Sequence, residues 1–180
     1  MQKLRKFNQD QIKTVNYSVA MAEELVSNFY KMSENQWLNR RFDIKTLIDL
    51  TTEEIVHGPF AQIIRYKGQR KDTSLGSSTY DFYKICLQDH SILAALNQSP
   101  GIKLFPFVLY IVIHELIHIV RFSKYLQNFD ASDEEKMAEE RRVHKQTHEI
   151  LSTVRFPGLA DVLKFYDKWR APFDGLKNSQ

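Results

Sequence analysis

The stretch from Leu104 to Val120 is the most apolar in the chain, and it is broken by His114, Glu115 and His118. Leu109, Ile111, Val112, Ile113, Leu116 and Ile117 crowd those three side chains on nearly every side. Pro106 sits near the start, where a missing N–H is tolerated, so the pattern predicts a helix through the first turns around Pro106 and on to about Gln127. The run is too short and too polar to span a membrane comfortably, and Arg121 closes it. It therefore reads as the core helix of a soluble domain. Burying two imidazoles and a carboxylate there costs several kcal/mol unless they are paired or bound to something.

Helical residues four apart lie one above the other, so His114 and His118 present two imidazoles on one face, at a spacing that grips a single ion. Glu115 lies beside them, poorly placed to ligate the same ion but able to take a proton from water held there. Zinc suits this arrangement, because it lowers the pKa of bound water towards about 7. The plainer reading is that both histidines hydrogen-bond to neighbours while Glu115 sits on an exposed helix edge.

A catalytic zinc typically takes a third protein ligand, and the next helix offers one. Its inward stripe of Met137, Thr147, Leu151 and Val154 also carries Glu140 and His144, and Glu140 lies 22 residues beyond His118. Glu140 is the leading candidate, with Glu139, His144 and Glu135 as alternatives. His144 could also be an outer partner of a ligand or a proton donor to substrate. For Glu134, Glu135, Glu139, Arg141 and Arg142 the competing expectation is a solvated charged face, and His148 is expected on the rim.

His114-Glu115-Leu116-Ile117-His118, followed by the acidic helix around Met137-Ala138-Glu139-Glu140-Arg141-Arg142-Val143-His144, resembles the gluzincin branch of the zincin metallopeptidases. The resemblance covers about forty residues. It implies a small sheet ahead of the motif helix. In that family a glutamate ligand is often followed four residues on by an aspartate that orients the first histidine; here His144 stands in that place.

The rest of the chain fits an α+β, predominantly helical, zincin-like domain with a small antiparallel sheet before the motif helix. Periodicity predicts helices over Asn8 to Lys31, Asp43 to Leu50, Asp89 or His90 to Leu96, and Ser132 to Val154, with a last one over Leu159 to Trp169. Alternation predicts strands over Phe60 to Tyr66 and Tyr80 to Leu87, paired antiparallel across a Lys67 to Ser78 loop. At 180 residues the chain suits one domain, 1–180, with 170–180 a frayed tail. A net charge of +3, loosely grouped at Arg40-Arg41, Arg65 to Lys71 and Arg141-Arg142, lacks the dense basic stripe of a nucleic-acid binder. Cys86 is the lone cysteine, so neither a disulfide nor a cysteine zinc cage can form, and no signal peptide is evident; a cytoplasmic location is expected.

These features point to a zinc-dependent hydrolase, most plausibly a metallopeptidase with a peptide or protein substrate and no nucleic-acid or membrane partner. His114, His118 and Glu140 would hold the ion, with Glu115 and His144 as catalytic groups. Tyr110, Tyr125 and Arg121 lie near the motif and could stabilise an oxyanion, although packing or a surface position explains each as well. One alternative is a di-iron carboxylate protein drawing on Glu54/His57 and Glu115/His118, both Glu-x-x-His, with Glu23 or Glu24; Gly58-Pro59 breaks the first of these helices. Another is a non-catalytic metal-binding regulatory module.

Overall fold

Asn8 caps the first helix, α1 (Gln9–Tyr30), in the way its sequence position suggests: its side chain accepts the Gln11 N–H at 2.8 Å, and Gln11 Oε1 accepts the Asn8 N–H at 2.9 Å. The structure is a computed structural model that describes residues 3–33, 35–36, 42–69, 79–124 and 126–170. Arg40-Arg41, most of the loop expected between the strands, Tyr125 and the tail from 171 on lie outside the described residues.

The elements after α1 are β1 (Phe42–Lys45), β2 (Ala61–Gln69), β3 (Thr79–Leu87), α2 (Asp89–Gln98), α3 (Leu104–Ser123), α4 (Asp133–Leu151) and α5 (Leu159–Phe165). Mixed α+β with helix predominating is what the pattern anticipated. The β2–β3 hairpin pairs antiparallel as expected, with Ala61 opposite Leu87 and Gln69 opposite Thr79.

Two expectations are corrected. The sheet is mixed, in the order β1-β3-β2, because β1 runs parallel to β3 with Phe42 opposite Tyr83. That strand occupies the beginning of the segment expected to be a helix from Asp43 to Leu50, and only a 3-10 turn at Leu47–Asp49 follows. A single apolar face on so short a segment contributes little helix stability, whereas the open edge of β3 satisfies the backbone groups of Phe42–Lys45. Asp89, at the start of α2, then fastens the segment: its two carboxylate oxygens accept the backbone N–H groups of Leu47 and Phe7, each at 2.9 Å. Burial raises the Asp89 pKa against those hydrogen bonds.

α3 is the centre of the molecule. By length and composition it could cross a membrane, but 83% of its apolar window is buried among the other elements. α1 lies along it, and the Ser18 hydroxyl donates to the Phe105 carbonyl at 3.1 Å. Phe107 meets Phe60 and Phe165 edge-on at 5.0 and 5.6 Å, joining the residue just before β2 to α3 and α5. Burying side chains of that size contributes roughly 1.5–3 kcal/mol each. Gly158 caps α5 at φ 83, where any Cβ would also press within 3.1 Å of Lys103.

Candidate metal centre

The four-residue repeat of α3 sets Tyr110, His114 and His118 in one row. The His114 and His118 rings meet at 4.8 Å between centroids, with their Nε2 atoms 3.1 Å apart. Each is nearly buried. The His118 ring is oriented from behind: Gln127 Oε1 lies 3.0 Å from Nδ1.

α4 brings the acid. Ser132 caps it, with Glu135 completing the reciprocal capping pair, so Glu135 is used at the helix start and not at the ion site. Glu139 faces the other way. It is buried, accepts from Arg121 Nε, and accepts from Arg142 Nη1 at 2.8 Å. The expectation of a solvated face fails for Glu139 because Arg121, anticipated as an oxyanion candidate, is itself buried and needs a counter-charge. Glu140 is the residue that meets the motif: Oε2 lies 3.0 Å from His114 Nε2 and Oε1 lies 2.9 Å from His118 Nε2.

Among the described residues, His114, His118 and Glu140 form the one group of three potential ligands whose donor atoms converge. The two Nε2 atoms lie 3.1 Å apart and Glu140 meets each of them with a different oxygen, and one donor atom from each of the three residues falls within 4.8 Å of the others. Two imidazoles and a carboxylate are the donor types that zinc takes, so the residues fit the ion in chemistry and in proximity.

His144 stacks beside the group. Its ring centroid is 4.2 Å from that of His114 and its Nε2 is 3.8 Å from Glu140 Oε2, while Nδ1 pairs with the Tyr110 hydroxyl at 2.7 Å. His114 Nδ1, the atom an aspartate at position 144 would be expected to hold, has no hydrogen-bond partner among the described residues. Tyr110 in turn stacks face to face on Tyr166, at 3.9 Å and an interplanar angle of 4°. His148 is half-buried on α4, a position compatible with a rim.

Tyr110, His114, His118, Gln127, Glu140, His144 and Tyr166 face a cavity of about 740 Å³, which Glu115 also lines. Its apolar wall includes Phe60, Ile63, Phe122, Phe129, Phe165 and Tyr166. Burial raises the Glu115 pKa. Burial works against protonation of His118, but the hydrogen bond and charge of Glu140 overcome it and bring that ring up to about 9. Burial likewise works against ionisation of Glu140, and the two facing histidines outweigh it and hold the carboxyl well below its ordinary range. His144 is brought down to about 2, first by burial and then by the neighbouring His114. Burial lifts the Tyr166 phenol well above its usual value.

The second Glu-x-x-His is built differently. Glu54 ends a 3-10 turn and is held by Lys84 Nζ at 2.7 Å and the Tyr66 hydroxyl at 2.8 Å, while His57 is exposed against the ring of His90. Glu23 and Glu24 lie on α1 outside the cavity lining. Tyr110 reaches the cavity and Arg121 does not. Sequence reasoning missed Gln127 and Tyr166. Tyr166 carried no signal beyond its aromatic ring, and Gln127 was expected at the end of the motif helix, which instead stops at Ser123, so helical periodicity gave it no correct direction.

No protein-family model matches this chain, and neither a curated protein nor a solved structure matches it.

Proposed function

We propose that the chain is a zinc-dependent hydrolase of zincin-like design, acting on peptide or protein substrates. His114, His118 and Glu140 would hold the ion, and Glu115 would serve as general base. The observation that carries this reading is the convergence of three donor atoms on the wall of a cavity that Glu115 also lines. The small sheet ahead of α3 and the acidic helix after it support the zincin-like resemblance. Bound zinc supplies Lewis acidity and makes water acidic enough to ionise near neutral pH.

The chain's own residues do the rest. Glu115 accepts a proton at its carboxylate. The proton taken by Glu115 is the one it can return to a leaving amine, and the neutral His144 ring, hydrogen-bonded through Nδ1 to the Tyr110 hydroxyl at 2.7 Å, stands beside that path. The phenyl groups of the wall exclude bulk water and receive an apolar substrate side chain.

Elemental analysis of protein purified without added metal should find one zinc per chain, and the protein should cleave members of a mixed peptide pool. Glu115→Gln should keep its zinc and its fold while losing roughly 10²–10⁴ in turnover. Two irons per chain would transfer the assignment to the di-iron class, and a fully loaded chain that cleaves nothing would count heavily against the enzyme.

One observation favours a second reading, a structural ion in a binding or regulatory module: the His144 ring packs against His114 with its Nε2 3.8 Å from Glu140 Oε2, so a shift of that ring would add a fourth protein ligand to the group. Under that reading His144→Ala sharply weakens zinc binding, whereas in the hydrolase it chiefly lowers turnover.

A further inference from the structure

The loop after α3 is held more firmly than a connecting segment needs to be. Arg121, buried by its ion pair with Glu139, donates from Nη2 to the Leu126 carbonyl at 3.3 Å, and the Leu126 N–H donates to the Arg121 carbonyl at 2.9 Å. The next residue is Gln127. Half-buried between the cavity and a smaller pocket of about 370 Å³ beyond it, Gln127 sets its amide oxygen 3.0 Å from His118 Nδ1. An amide oxygen only accepts, so Nδ1 must carry a hydrogen. The lone pair of a neutral His118 is then confined to Nε2, the atom that faces His114 and Glu140.

We propose that Gln127 is a positioning residue that fixes the tautomer and ring orientation of His118 for zinc. This rests on the metal-centre reading above and adds to it the residue that prepares one ligand. With Nδ1–H directed at Gln127, Nε2 is the ring atom left to face Glu140 and, in the proposed centre, to hold the ion. The Arg121–Glu139 pair extends the arrangement, since it anchors the Gln127 loop and also joins α3 to α4 beside Glu140. Among the described residues no comparable acceptor serves His114 Nδ1, so the preparation is one-sided.

The test is zinc affinity, measured by competition with a chelating dye on the full chain, with the melting temperature of the metal-free protein as control. Gln127→Leu keeps the bulk and removes the acceptor; it should weaken zinc roughly 10–100-fold, the usual cost of losing an outer partner of a metal-bound histidine. Gln127→Glu keeps an acceptor and should bind zinc at least as tightly as the parent. Both should melt close to the parent when metal-free. If Gln127→Leu binds zinc like the parent, or if both variants lose affinity and metal-free stability together, the residue only packs the loop and the proposal is wrong. A parent chain that takes up no zinc would instead overturn the metal centre itself.

Discussion

Glu139 and Glu140 are adjacent, chemically identical, and serve different partners. Helical geometry turns them about 100° apart, so one meets buried Arg121 and the other meets the two imidazoles. Alanine at each position separates the roles. Glu139→Ala leaves Arg121 buried without its main counter-charge and should cost about 3 kcal/mol of stability while the proposed ligand group persists. Glu140→Ala removes a proposed ligand, so its zinc affinity should fall by more than the 10–100-fold typical of an outer partner, with a smaller loss of stability. Chemical denaturation of metal-free protein and zinc titration, run on both variants, check this; equal effects on both readouts would remove the distinction. Sequence spacing separated the two only weakly, because one residue of error in the helix phase exchanges them. Arg121 was the missing clue: a basic residue closing an apolar helix requires a buried acid nearby, and Glu139 is that acid.

At the scale of elements, Glu54 joins a 3-10 turn to both strands of the hairpin. It accepts from Tyr66 on β2 and Lys84 on β3, and its carbonyl accepts from the side chain of Gln88. The Lys84 hydrogen bond is the main reason that the Glu54 carboxyl is lowered to about 2 from its ordinary 4.5. A depressed carboxylate contributes stability that is complete above its unfolded pKa and is lost as the pH falls towards its folded one. Acid should therefore weaken the fold progressively between about 4.5 and about 2, and Glu54→Gln should flatten that part of the profile. Urea midpoints measured across this range test it, and a variant profile parallel to the parent's would refute it. This cluster also shows why the second Glu-x-x-His misled: the spacing was there, but the chain around it is a turn, and Lys84 claims the acid. The helices were legible where a cap coincided with a long stripe, as at Asn8 and Ser132. β1 was not, since its conformation depends on β3, a partner some forty residues away.

For the molecule as a whole, the proposed ligands draw on α3 and α4, and those two helices are already joined in the apolar core, where Val143, Ile150 and Leu151 of α4 pack with α1, the sheet, α2 and α5 around α3. An ion held by those ligands thus ties together two helices that already pack, and the core does not depend on it. The metal-free chain should unfold in one cooperative transition and bind zinc as a preformed site. Ligand held only by the native state stabilises it by about 2.7 kcal/mol when present at 100 times its dissociation constant. For a domain of this size, each kcal/mol moves the melting temperature by about 2–4 °C, so saturating zinc should raise it by roughly 5–10 °C, and EDTA should return it to the metal-free value. Calorimetry in both conditions decides between three architectures. A shift of that size with a cooperative metal-free transition fits an ion added to a finished fold. Loss of the metal-free transition would mean that zinc organises the core, and a melting temperature indifferent to zinc would mean that the two imidazoles and Glu140 satisfy one another without an ion.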